Sequence, residues 1–506
     1  MKNHTDLLNS ARALHAVGQL ALAHEKYIAL LKLYPDSPAL LSELANLLTD
    51  GNYFDLAIKA YAKAIEFDPT FELGHYNMGN CYLKMQQPEN ALNAFQKAVS
   101  IQGHFYEAQL NLGNTYRLLG KNQQAIVSFN QAMAASPRMA GPHVNLGSLY
   151  FEARDLGQAQ KSFEAALALE PHSTQANWNL SLLLLLQGKF EEAWPHYEWR
   201  WRRGGYCHAS HRSFEQPVWL GQFPIAGKTI LVHAEQGMGD TLQFVRFAQN
   251  LSEQGATVIL EVQPPLVRLL QNLPYLSKVL ARGEALPTFD AHCGLLSLPH
   301  ALKLNLSQLN TQAAYLQAPP TLIPNWINLI PSNGGVRVGL VWSGGFRPHQ
   351  PEVWQLNERR NIPLRALTSL KIPGIEWISL QKGEPAESEP ETPEYQQWDG
   401  PKILNFSQYI TDFADTAALI ACLDLVISVD TAAAHLAGAL GKPTWVMNRF
   451  DACWRWQLNR SDSPWYSHMK LYQQDEPGQW QSVVQKVRHD LIQLVKQHHP
   501  LNTNYE

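Results

Sequence analysis

The chain has 506 residues, 45% hydrophobic and 17% charged, with a formal net charge of −4; this composition provides for several packed cores and excludes a disordered or fibrous protein. No long basic run is present, which argues against holding nucleic acid by counterion release, and the cysteines, Cys81, Cys207, Cys293, Cys422 and Cys453, stand singly, as in a reducing cytoplasm, without the C-x-x-C pairs of a zinc or redox site. "MKNHTDLLNS" lacks a basic stretch leading into an apolar one, and the run "LSLLLLL" at 180–186 is too short to cross a bilayer, so a protein without a transmembrane segment is expected.

From the N-terminus the first predicted elements are repeated helix pairs. "HYNMGNCYLKMQQPENALNAFQKA" from 75, "QLNLGNTYRLLGKNQQAIVSFNQA" from 109 and "HVNLGSLYFEARDLGQAQKSFEAA" from 143 align without a gap at a period of 34. Ala23, Ala57, Ala91, Ala125, Ala159 and Ala193 keep that period, and four residues after each comes Tyr27, Tyr61, Phe95, Phe129, Phe163 or Tyr197. Such pairs share one helix face. Pro35, Pro69, Pro137 and Pro171 end the helices, with Gly103 at the missing place. Ala45, Gly79, Gly113, Gly147 and Ser181 mark where two helices cross closely. These residues resemble the tetratricopeptide repeat, over residues 1–205, which implies an α-solenoid with a concave binding groove.

Asn77, Asn111, Asn145 and Asn179 recur at the same spacing in the first helix of each repeat, preceded by Glu43, and Asn46, Asn80, Asn114 and Ser148 form a second series. An amide both donates and accepts, so the first series is read as a grip on the backbone of an extended peptide; it resembles the asparagine ladder of O-linked N-acetylglucosamine transferases. The second series is read equally well as repeat packing. The solenoid surface also serves for self-association in this reading, so a homo-oligomer stays open. In "GKFEEAWPHYEWRWRRGGY" Trp194, Trp199 and Trp201 beside Arg200, Arg202 and Arg203 are expected to dock on the next domain, since aromatics bury much area.

From about 226 short apolar runs alternate with helical segments, which predicts βαβ units and parallel sheets. "KTILVH", "TVILEV" and "KVLARG" are the strands of a first Rossmann-like half (206–325, linker included), and "VRVGLVWSGG", "IEWISLQKG", "LDLVISVD" and "PTWVMN" those of a second (326–506). Ligands of such folds sit beyond the strand C-termini, in the cleft between halves. "EQGMGD" and "SVDTAAAH" are two such loops, one in each half. Gly237 and Gly239 allow a ligand to approach the backbone at a helix start, where N–H groups favour an anion. Glu261 imitates the ribose-binding acid of a dinucleotide fingerprint, but Leu242 stands where the third glycine belongs. Asp430, Thr431 and, a turn later, His435 suit a diphosphate.

"GMGDTLQ" followed by "SVDTAAAHLAGALGKPT" resembles the bacterial lipopolysaccharide heptosyltransferases, inverting glycosyltransferases of GT-B fold, over roughly residues 226–500. The resemblance implies that Asp240 is the general base, that Asp430, Thr431 and His435 hold the donor diphosphate, and that neither a cofactor nor a metal takes part. Ala432 departs from the family, which usually has glycine there. Ser343, Arg347, Gln381 and Lys382 follow strands that face the same cleft and are read as donor contacts, with Arg359 or Arg360 as a phosphate clamp and Trp454 or Trp456 stacked on a base or sugar. The whole chain resembles bacterial tetratricopeptide proteins that carry a glycosyltransferase domain, some of which glycosylate proteins such as flagellins. A nucleotide-sugar donor and a protein acceptor are therefore the expected partners. Two alternatives are a peptide-binding scaffold with an inert α/β domain and an enzyme of lipopolysaccharide assembly.

Overall fold

In the computed structural model residues 2–203, 214–309, 314–331, 334–345 and 354–498 are described. The chain divides into two compact units, Met1–Asn179 and Leu180–Glu506, so the division comes earlier than the end of the 34-residue period, inside a helix.

The first unit is a run of antiparallel helix pairs. They are α1 (Lys2–Ala16) with α2 (Leu20–Leu33), α3 (Pro38–Asp50) with α4 (Phe54–Phe67), α5 (Glu72–Lys84) with α6 (Pro88–Ile101), α7 (Tyr106–Leu118) with α8 (Asn122–Ala135), and α9 (Gly141–Glu152) with α10 (Leu156–Leu169). The division between the units falls within α11 (Thr174–Leu186). The alanine and aromatic series is fully or almost fully buried from Ala23 to Phe163. Its aromatic ring fills the place of a missing side chain: a Cβ on Gly113 would stand 2.5 Å from the Phe129 ring, and Gly79 and Gly147 meet Phe95 and Phe163 in the same way. The crossing distance is thus set by glycine on one helix and phenylalanine on the next.

Each first helix ends in a left-handed residue: Gly18, Asn52, Gln86, Gly120 and Arg154, with φ between 58° and 77°. The next N–H returns to the carbonyl five residues back, as from Tyr53 to Leu48 at 2.8 Å and from Asp155 to Tyr150 at 2.9 Å. This is a Schellman closure. Three of the five are not glycine, so the turn is imposed by packing rather than by residue preference.

In the second unit α12 (Phe190–Tyr197) carries the last alanine and aromatic of the period, and it packs on the α/β core. Trp194, 2% exposed, donates Nε1 to the Leu304 carbonyl at 2.9 Å, and its ring lies 6.1 Å from that of Trp454. Arg200 has no exposed surface and pairs with Glu198 at 2.6 Å and with buried Glu235 at 2.8 Å. The expected docking role of this segment is therefore observed.

Two parallel sheets follow. The first, in order β3-β2-β1-β4, joins β1 (Thr229–His233), β2 (Thr257–Val262), β3 (Lys278–Ala281) and β4 (Ala291–Gly294). The second, in order β10-β9-β8-β5-β6-β7, joins β5 (Val336–Val341), β6 (Ile375–Ser379), β7 (Ile403–Leu404), β8 (Leu425–Val429), β9 (Thr444–Asn448) and β10 (Met469–Gln473). β4, β7 and β10 extend the sheets beyond the strands expected from sequence. Between the strands lie, among others, α13 (Met238–Phe244) after β1, α14 (Val267–Leu270) after β2, α15 (Trp354–Arg360), α16 (Phe413–Ala421) before β8, and α17 (Ala432–Ala439) after it. Both β1 and β8 are buried almost throughout, as apolar strands covered on two faces must be. Among the described residues no helix is long and apolar enough to cross a membrane.

Candidate functional site

β1 and β8 end in sharp strand-to-helix turns, and the two turns meet. A Cβ on Gly239 would stand 2.9 Å from His435 Cδ2 and 3.3 Å from Ala432 Cα, so the first turn of α13 lies directly on the first turn of α17. Gly239 is required by this approach. Gly237, by contrast, has φ −69° and ψ 163°, an extended conformation open to any residue. Around the junction runs a crevice of about 640 Å³ whose walls include Gly237, Gly239, Asp240, Asp430, Thr431 and His435, within the size range of ligand sites.

Asp240 occupies the third position of α13 and accepts the Gly237 N–H at 2.9 Å on Oδ2, the side-chain half of a capping box. Its Oδ1 accepts Nη2 of Arg455, which comes from the other half of the unit. Asp240 is thus a cap and an interlobe ion-pair partner at once. Burial works against the charge of Arg455, but the Asp240 carboxylate, then Cys453 and Tyr197, hold its pKa above the usual arginine value.

Across the crevice, Thr431 is the N-cap of α17, but its side chain makes no cap hydrogen bond; its Oγ1 lies 2.9 Å from Ser428 Oγ. The first N–H groups of α17 are left to a ligand or water, as at any helix start. Ala432 lies outside the left-handed residues, so its methyl causes no backbone strain. His435 is 4% exposed, with Nδ1 2.9 Å from Tyr466 Oη and its ring stacked on Trp456 at 5.0 Å. Burial pushes its pKa down to about 4, with Asp430 opposing. It is therefore a neutral imidazole near pH 7, able to donate or accept one hydrogen bond but not to neutralise a phosphate. Asp430 stays below the usual carboxylate value: burial opposes this, and Arg360, His435 and Arg449 outweigh it.

The remaining expected residues divide. Ser343 N donates to Gln381 Oε1 and Gln381 Nε2 donates to the Ser343 carbonyl, both at 3.1 Å. Gln381 therefore ties the loop after β5 to the loop after β6. Lys382 lines the crevice but pairs with Glu387 at 2.8 Å and with the Ser407 carbonyl at 3.0 Å. Arg347 lies outside the described residues. Of the two arginines of α15, Arg360 is in the crevice wall and donates to the Asp430 carbonyl at 3.0 Å, whereas Arg359 faces Asp451 at 3.2 Å. Trp454 and Trp456 are buried and absent from the crevice walls, as is Glu261 at the end of β2. Sequence reasoning missed Arg455 and the wall of Thr411 and Asp412. The one signal for Arg455 was an arginine between two tryptophans, and its guanidinium does lie 4.3 Å from the Trp454 ring centre. Among the described residues no group of three or more His, Cys, Asp or Glu side chains is placed to hold a metal ion.

In the solenoid the two asparagine series form one ladder. Asn77 Nδ2 donates to Asn46 Oδ1 at 3.3 Å, Asn111 to Asn80 at 2.8 Å, and Asn179 to Ser148 Oγ at 3.0 Å; in the first rung Arg12 donates to Glu43 at 2.8 Å. Asn145 holds the equivalent place on α9 and, like the others, is half-buried. Each of these rungs joins neighbouring repeats, and part of the amide capacity of Asn77, Asn111 and Asn179 is spent there.

Three tetratricopeptide-repeat family models match residues 45–86, 72–138 and 144–200, and the model of glycosyltransferase family 9 (heptosyltransferase) matches residues 410–446, the stretch holding Asp430, Thr431, Ala432 and His435. Protein FlbA of Caulobacter vibrioides is 25% identical over 333 residues, which are 61% of this chain and 53% of that one; the chain thus spans about half the length of that curated relative. Among solved structures, YrrB, described as a TPR protein with an unusual peptide-binding site, is 22% identical with a TM-score of 0.30 over 34% of this chain and 88% of its own. A tetratricopeptide protein of Thermus thermophilus is 21% identical, with a TM-score of 0.30 over 36% and 99%, and MamA of Desulfovibrio magneticus 18%, with 0.32 over 34% and 98%. The chain is thus a tetratricopeptide solenoid followed by an α/β region similar to family 9 glycosyltransferases.

Proposed function

We propose that the chain is an inverting glycosyltransferase that moves a sugar from a nucleotide-sugar donor to a protein acceptor bound by the repeats, a surface protein such as a flagellin being the acceptor class that the resemblance implies. The observation that carries the reading is the meeting of the α13 and α17 turns on one crevice, with a carboxylate on one side and an anion-suited helix start on the other. The acceptor hydroxyl gives its proton to Asp240 as its oxygen attacks the anomeric carbon, and the diphosphate leaves from the opposite face. The helix start of α17 and Arg360 meet the charge that develops on the leaving group, so this reading assigns that charge to the protein rather than to a metal ion. The amide ladder supplies sequence-tolerant peptide contacts, and the scattered single cysteines suit work in the cytoplasm.

A second reading, a binding scaffold with an inert α/β region, is favoured by one feature: both oxygens of Asp240 already hold donors. Thermal-shift measurements with UDP, GDP, ADP and CMP separate the two. A nucleotide that binds only the folded crevice raises the melting temperature, and Asp240→Ala then keeps a shift at least as large while transfer to co-expressed candidate proteins, read by intact mass, falls about 10²–10⁴-fold. No shift with any nucleotide sinks the enzyme reading.

A further inference from the structure

Arg455 is the group most closely engaged with the proposed base. Its Nε donates to Gln243 Oε1 at 2.7 Å, its Nη1 to Cys453 Sγ at 3.2 Å and its Nη2 to Asp240 Oδ1. Its side chain is only 9% exposed, yet it stands in the crevice wall beside the residues of both turns. A guanidinium in such a place is a bidentate ligand for oxyanions. The oxyanion it now holds is a side chain of the protein itself, one residue from the point where Gly239 touches the first residue of α17.

That arrangement conflicts with the proposed chemistry as long as the crevice is without a donor. An oxygen that accepts a guanidinium N–H has one lone pair fewer to offer an acceptor hydroxyl, and the other oxygen of Asp240 caps α13. A diphosphate at the start of α17 changes the competition, because it offers more charge and several oxygens to the same guanidinium, in a site of restricted water where charges interact strongly.

We infer that Arg455 is a ligand of the donor diphosphate which, before the donor arrives, is held on Asp240, so that donor binding uncovers the base. The inference rests on the glycosyltransferase reading and adds an order to it: donor first, acceptor deprotonation second. In the transfer step the acceptor O–H proton passes to Asp240 Oδ1, the new oxygen–anomeric carbon bond forms, and the carbon–phosphate oxygen bond breaks. Its electron pair leaves on the diphosphate, where Arg455 meets the charge.

The test is a double-mutant cycle read by calorimetric titration of the full chain with inorganic pyrophosphate and, in parallel, with UDP, GDP and ADP. Asp240→Asn keeps an acceptor for the Gly237 N–H while removing the charge that holds Arg455; it is expected to tighten pyrophosphate about fivefold or more, within the usual range of couplings between sites. Arg455→Gln weakens pyrophosphate and, in the double variant, abolishes the gain. If Asp240→Asn binds pyrophosphate as the unmodified chain does, or if the gain persists with Arg455→Gln, the tightening is absent or is mere relief of repulsion, and the inference is overturned. Should the unmodified chain and Asp240→Asn both fail to bind pyrophosphate and all three nucleotides, the glycosyltransferase reading falls with it. Arg455→Lys, with melting curves for all variants, covers the case in which the glutamine variant does not fold: retained charge without the planar fork is expected to lose most of the coupling.

Discussion

The solenoid and the crevice are held by contacts of opposite reach. A rung such as Asn111–Asn80 joins residues 31 apart and is repeated along the first unit with small variations, from Arg12–Glu43 to Asn179–Ser148. The Arg455–Asp240 contact joins residues 215 apart and stands beside an unlike one from the same guanidinium to Gln243. Repetition spreads stability over many similar interfaces, whereas the crevice depends on a few contacts between distant segments. Damage to the first is therefore expected to be local and graded, and damage to the second to be felt as lost binding.

Phe129→Ala probes the first half of that comparison most strongly. The ring is fully buried against Gly113, and its removal is expected to cost about 3–5 kcal/mol. Hydrogen exchange should then show lost protection centred on α7, α8 and α9; a loss spread evenly over the chain would break the comparison. The next effect is one of pH on the second unit. Because the folded pKa of His435 lies at about 4 and the unfolded value near 6.5, the unfolded chain takes up a proton between these values and the folded chain does not. The stabilisation is fully present above about pH 6.5 and falls as the pH drops toward 4, by about 3 kcal/mol from this group. His435→Gln should flatten that limb in acid titrations of stability.

Gly239→Ala sharpens the second half. Its methyl meets a backbone atom of α17 as well as the His435 ring, so a loss of about 1–3 kcal/mol is expected, with weakened nucleotide binding as the more informative readout; unchanged binding would mean that the two turns part without consequence. The smallest effect is a gain. Gln86→Gly relieves an exposed left-handed residue at some cost in chain entropy, for a net stabilisation of about 0.5 kcal/mol in thermal melts.

The same contrast decides what the amino-acid order reveals. The repeat is legible because one local solution, alanine and aromatic four residues apart, recurs at a fixed interval. Strands such as "TILVH" and "LVISV" are legible because burial on both faces leaves them almost wholly apolar, while β7 has two residues and β4 ends in glycine, too little pattern to stand out. The two turns are legible as glycine- and threonine-bearing starts of helices. Arg455 is not, because its role is fixed by a partner in the other half of the unit. Gln381 shows the converse: a polar residue after a strand reads the same whether it faces a ligand or, as here, locks the backbone of Ser343. The asparagine series, separate in sequence, are joined only in three dimensions.

The use of α12 as a wall of the α/β core bears on how the chain can be cut. A fragment started at residue 206, where the 34-residue period has run out, would lack Trp194, Tyr197 and Arg200. Glu235, on the strand end that leads into the Asp240 turn, would then be a buried carboxylate without its counter-ion, and Trp454 and Trp465 would be left with bare faces. Such a fragment should precipitate on expression, whereas one begun near the start of α11 keeps the seal intact.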